Sequence, residues 1–297
     1  MRVFASLLAI CLLSPVAAVE FKEGDRVVLL GNTFIEREGH HGHIETQLAV
    51  ALAGKNLTFR NLGWSGDNVS CEARSYFGPP KEGFNRLKAH LELLKPTVVI
   101  ACYGAVAAFE GEREVDNFIN GYRRLLDMIK ATSGARIVLL SPPPCETLPP
   151  PLPDMMPQNR RLAHYRDKIR ELARSRECAF ADLFGVLQEG KAQSQPAGTF
   201  NGVHFSERGY RKLAPIVAVS MGVKKSVPAG ENLDSLRKLV IEKNRLFFNR
   251  WRPQNETYLH GFRKHEQGRN AKEIAQFDPL VTEKDRQIQQ LARKVRQ

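Results

Sequence analysis

The stretch RVVLLGNTFIE, Arg26 to Glu36, decides how the rest of the chain is read. Its first half is an unbroken run of Val and Leu, too short for a helix and apolar on both faces. Such a run fits a strand of a parallel sheet covered on both sides. Gly31 ends the run, and Asn32 and Thr33 stand where the chain must turn. In open α/β sheets ligands bind at the carboxyl ends of the strands, so the Thr33 hydroxyl is a candidate nucleophile. Threonine is an unusual choice, because its methyl stiffens χ1 and crowds the approach to a reacting carbon. The plainer alternative is that Thr33 caps the turn that follows.

Working outward, apolar runs alternate with amphipathic stretches as far as residue 222. Strands are expected at 26–30, 57–62, 97–104, 136–143 and 178–183. Helices are expected at about 41–54, 82–95, 115–132, 158–175 and 206–221. Continuous Val/Ile/Leu runs separated by helices imply a parallel sheet with helices on both faces. Its other carboxyl ends would be Gly63 to Asp67 and Gly104 to Ala107. The Pro-rich segment PPPCETLPPPLPDMMP reads as a rigid surface connection, with a lid over the strand ends as the alternative.

Four ordered blocks then carry a family resemblance: LLGNTFIE, NLGWSGDNV (61–69), CYGAVAAFEG (102–111) and FNGVHFSERGY (200–210). Residues 24 to 222 resemble the SGNH (GDSL-type) hydrolases. The resemblance implies ester hydrolysis on a flavodoxin-like three-layer α/β/α fold with no metal or organic cofactor. It places Thr33 at the nucleophile position, usually serine in a Gly-Asp-Ser turn. Gly66 falls at the oxyanion glycine, with the Thr33 amide beside it. His204 falls at the general base, whose pKa near 6.5 suits proton transfer. Asn201 occupies the aspartate position that orients the histidine, and Val106 the oxyanion asparagine position. Asn32, Gly104 and Val106 are expected around the substrate pocket.

Three of these positions depart from the pattern. Asn201 can orient a ring but cannot stabilise an imidazolium with a full charge, and Val106 has no side-chain N–H to donate. Loss of one oxyanion donor typically costs about 10²–10³ in rate. Two readings follow: an esterase with degenerate blocks, or a catalytically silent binder of a glycan or acyl ligand.

The ends of the chain have different character. Arg2, the apolar run VFASLLAICLLSPVAA and the small residues Val16-Ala17-Ala18 read as a signal peptide, 1–18, and hence an exported protein, periplasmic or secreted. No later run approaches the roughly 20 apolar residues of a transmembrane helix. The hydrolase-like domain would span 19–226. After it, residues 231–297 hold 15 Lys/Arg against 9 Asp/Glu, so 227–297 reads as a basic, mainly helical extension. With a formal charge of +12, the protein suits acidic glycans or envelope surfaces; no nucleic-acid motif appears. The aromatic and polar run 244–270 fits sugar stacking if exposed, or anchoring of the extension through Phe247, Phe248, Trp251 and Tyr258 if buried. The expected substrate is a small ester or acylated carbohydrate.

Two clusters are weaker signals. EREGHHGHIE (36–45) gathers His40, His41 and His43 among carboxylates, but no standard metal spacing occurs, and a polar loop is the simpler expectation. Cys71, Cys102, Cys145 and Cys178 allow three disulfide pairings.

Overall fold

The computed structural model describes residues 19–189, 198–223, 227, 231–266 and 270–296, so the expected signal peptide lies outside the described residues. Five strands form one sheet: β1 (Arg26–Gly31), β2 (Thr58–Asn61), β3 (Val98–Cys102), β4 (Arg136–Leu140) and β5 (Ala179–Ala181). All neighbours are parallel, in the order β2-β1-β3-β4-β5. The helices are α1 (Thr33–His41), α2 (His43–Ala51), α3 (Pro80–Leu94), α4 (Ala105–Glu110), α5 (Val115–Ser133), α6 (Met156–Ser175), α7 (Leu183–Glu189) and α8 (Glu207–Ser220). The extension adds α9 (Glu231–Trp251), α10 (Glu256–Leu259) and α11 (Phe277–Arg296). This is the three-layer α/β/α arrangement with a mainly helical extension.

Strand side chains alternate between faces, and two buried clusters follow from that period. Val28, Leu30, Val99 and Ala101 pack with Leu87 and Leu91 of α3, Leu125 of α5 and Ile169 of α6. Val27, Leu29, Val98 and Ile100 pack with Ile44 and Leu48 of α2 and with Leu213 and Val217 of α8. Continuous apolar runs are therefore what a doubly covered sheet requires.

The helix expected over 41–54 is two helices. Gly42 takes φ +67 and caps both of them, and a Cβ there would meet Val240 and Ile241. The supposed polar loop at 36–41 is thus the end of α1. Its histidines diverge. His40 is exposed, His41 stacks on Tyr210, and His43 lies 3.8 Å from Glu207. Among the described residues no disulfide joins Cys71, Cys102, Cys145 and Cys178.

The extension covers the open edge of the sheet. Among the described residues β2 pairs only with β1, and an unpaired edge leaves carbonyls without donors. Lys243 of α9 donates to the Phe59 carbonyl (2.9 Å), and Gln289 of α11 to that of Leu57 (3.2 Å). Lys243 is itself fully buried and pairs with Glu45 at 2.7 Å. Beside this pair, Leu236, Val240, Ile288 and Ala292 close on Val50 and Ala53 of α2 and the turn after it. Phe247 and Trp251 are buried in the α3-side core, while Phe248 and Tyr258 are only half-buried.

Candidate active site

The strand order reverses at β1, whose chain leaves to β2 on one side and whose other neighbour is β3. A crevice is expected at the carboxyl ends of such a pair. Gly31 closes the end of β1 tightly on β3, since a Cβ there would lie 2.5 Å from the Cys102 carbonyl oxygen. Helix α1 begins at once. Asn32 is its N-cap, its side-chain oxygen accepting from the Phe34 N–H at 3.3 Å. The capping role proposed for Thr33 therefore belongs to Asn32, and Thr33 is the first helical residue.

The loop after β2 lies across this turn. Gly63 allows the approach, because a Cβ there would come within 2.2 Å of the Glu36 backbone nitrogen. Gly66, at φ +74, then directs its N–H to the Thr33 hydroxyl oxygen at 3.2 Å. From the other side of β1, Gly104 (φ +117) opens α4 and lies against Ile169 and Phe118. Two residues on, Val106 stands on the cavity wall.

That cavity measures about 340 Å³. Its wall includes Asn32, Thr33, Arg37, Val106 and His204, and its remaining lining is mainly apolar, with Phe109, Pro144 and Leu162 among it. Neither Gly66 nor Gly104 lines it; Gly66 reaches the site through its amide. Burial first, and then the Arg37 guanidinium, hold the His204 imidazole below its ordinary pKa of 6.5, which keeps it neutral and able to accept a proton at neutral pH.

Asn201 is not arranged as expected. Its side-chain oxygen accepts the backbone N–H groups of Val203 (3.1 Å) and His204 (2.8 Å). A carbonyl oxygen has two lone pairs, and both are engaged by this Asx turn. Asn201 thus shapes the loop that carries His204, and no hydrogen bond links it to the ring among the described residues.

Two contributors were missed in the sequence. Arg37 lies one helical turn after Thr33 and also sits 5.2 Å from the Phe200 ring. An i, i+4 relation puts residues on one face, but that signal needs α1 to be helical. Glu146 accepts from Gly198 N–H (2.9 Å), Thr199 N–H (2.7 Å) and the Thr199 hydroxyl (2.5 Å). It thereby ties the Pro-rich segment to the His204 loop. Pro143, Pro144 and Cys145 of that segment wall the cavity, so it is more than a surface connection.

Residues 30–212 match the model of the GDSL-like lipase/acylhydrolase family; the chain belongs to that family. Among solved structures, a catalytic mutant of an acetylxylan esterase from Geobacillus stearothermophilus is 17% identical, with TM-score 0.55, covering 70% of this chain and 100% of its own. A gut microbial diltiazem-metabolizing enzyme is 19% identical, with TM-score 0.56 over 70% of this chain, which matches 49% of that longer protein. An α/β hydrolase from the metagenome of Lake Arreo, Spain, is 20% identical, with TM-score 0.51, covering 69% of this chain and 99% of its own. At these identities the likeness concerns the fold. No curated protein matches the chain.

Proposed function

We propose that the protein is an exported hydrolase of ester bonds, acting on small acyl groups such as those carried by carbohydrates. The observation that carries this reading is one cavity bounded by both Thr33 and His204, with the Gly66 N–H on the Thr33 hydroxyl. His204 takes the Thr33 proton as the hydroxyl oxygen attacks the ester carbonyl carbon. The amides of Thr33 and Gly66 receive the negative charge on the former carbonyl oxygen. His204 then returns the proton to the departing alcohol, leaving an acyl-threonine. Water, deprotonated in turn by His204, releases the acid and restores the hydroxyl. The limited, largely apolar cavity suits a short acyl group. Export rests on the leader sequence, and the positive charge of the extension suits acidic polymers of an envelope.

Val106 and Asn201 support a second reading, a protein that holds an acyl or glycan ligand without cleaving it. The wall lacks the family's asparagine, and the Asn201 oxygen is spent on backbone amides. Turnover of p-nitrophenyl acetate and acetylated sugars by the wild type, Thr33→Ala and His204→Ala decides between them. Loss of activity in both variants is the expected result. Activity surviving both sinks the mechanism, and an inert wild type that still binds acetylated sugar favours the binder.

A further inference from the structure

The end of α9 reaches the loop that carries Gly66. Arg252 follows the last residue of α9, and Pro253 stops the helix there. Its guanidinium donates to Glu36 at 3.1 Å and lies 3.6 Å from the centre of the Trp64 ring. Glu36 is on the first turn of α1, three residues after Thr33, and its other carboxylate oxygen accepts the N–H of Ser65. Ser65 is the neighbour of Gly66, whose N–H meets the Thr33 hydroxyl. One chain of contacts therefore runs from the extension to the reacting centre.

A second set of contacts holds the same loop. Trp251 meets Trp64 edge to face at 5.7 Å. Arg74, buried between them, lies 5.7 Å from the Trp64 ring and 5.9 Å from that of Trp251. Arg74 also pairs with buried Asp67 (2.7 Å) and donates to the Leu62 carbonyl (2.7 Å). The loop from 62 to 67 is thus gripped at both ends. Toward its centre the Trp64 N–H donates to the Gly31 carbonyl (3.0 Å) and the Ser65 N–H to the Glu36 carboxylate, which Arg252 orients. The Glu36 and Arg252 side chains are 15% and 24% exposed, so the pair is screened by salt less than a surface pair.

We propose that Arg252 is a positioning residue for ester hydrolysis: through Glu36 it keeps the Gly66 N–H aimed at the oxygen that becomes negative in the transition state. The proposal rests on the reading of Thr33 as nucleophile. It makes the C-terminal extension a working part of the active site. Oxyanion donors act through prior alignment, so loosening the loop should lower kcat and leave KM nearly unchanged.

The test compares Arg252→Ala, Arg252→Lys and Glu36→Gln with Arg250→Gln. Arg250 pairs with Asp278 at 2.8 Å inside the extension and serves as a control for general disturbance of the tail. Three readouts are taken: kcat and KM on p-nitrophenyl acetate, amide exchange across 62–68, and tryptophan emission. The chain's two tryptophans are Trp64 and Trp251, so emission reports this junction directly. Expected results are a loss in kcat of about tenfold or more in Arg252→Ala and Glu36→Gln, with KM within twofold. Amide exchange should be faster at 62–68, Arg252→Lys should recover part of the loss, and Arg250→Gln should behave as wild type. Glu36→Gln keeps the proposal falsifiable should Arg252→Ala fold poorly, since it leaves the tail intact. Unchanged exchange in Glu36→Gln and Arg252→Lys overturns the proposal, and so does faster exchange with unaltered kcat. An inert wild type would instead overturn the esterase reading and with it the catalytic part of this proposal, while exchange alone would still decide whether Arg252 holds the loop.

Discussion

Val106→Asn tests whether a missing donor limits this site. Val106 is the second residue of α4 and lies on the wall of the cavity shared by Thr33 and His204. Asparagine is close to valine in size, so the change adds a carboxamide without overpacking. A side-chain oxyanion donor is worth about 10²–10³ in turnover, or roughly 2.7–4 kcal/mol. A carboxamide on an apolar wall costs on the order of 1–3 kcal/mol where it lacks a partner in the resting protein. That cost falls on folding, at about 2–4 °C in Tm for each kcal/mol. Part of the donor's worth is lost because the surrounding wall was not built to hold an amide. A gain in kcat of about 10–100-fold is expected, with a Tm lower by a few degrees. Initial rates on p-nitrophenyl acetate, with Tm from a thermal melt, check both. A folded variant with kcat within twofold of wild type would refute the reasoning, because the oxyanion would then not face Val106 or would not limit the rate.

Further outcomes follow from the same geometry. Burial and, after it, Arg37 lower the His204 pKa, so Arg37→Gln should let the ring take a proton at higher pH; the acid limb of kcat/KM should move upward, and an unmoved limb contradicts the role given to Arg37. Glu38 is fully buried, and burial raises its pKa from 4.5 to about 8. The folded state therefore holds a proton that the unfolded chain has released, and stability falls as pH rises from about 4.5 to about 8. Removing that loss, which is on the order of a few kcal/mol, Glu38→Gln should flatten Tm across this range; an equally steep profile counts against it. Leu236 is fully buried between α9 and its neighbours, so Leu236→Ala should destabilise by about 2–5 kcal/mol. A single melting transition in that variant would show that the extension unfolds with the α/β domain.

How much could be read beforehand differs from residue to residue. Val27 to Leu30 announced a doubly covered strand because the demand for apolar groups on both faces is local and periodic. Thr33 and His204 were legible as a pair only through the resemblance, since 170 residues of sequence separate them. The break at Gly42 escaped because a glycine in a helical pattern does not declare its φ. The family pattern assigns Asn201 to the ring, yet nearby backbone amides compete for the same oxygen, and that competition is settled only by the fold of the loop.

By itself, then, the sequence determined the strand and helix periods, the parallel α/β class and the order of the four blocks. These follow from short-range alternation and turn chemistry. The tertiary structure alone decided that Arg37 faces the cavity, that Glu146 anchors the His204 loop, and that Trp251 and Arg252 close on Trp64 and Glu36. Each of those contacts joins segments far apart in the chain, and local propensity carries no information about which distant surface a side chain will meet.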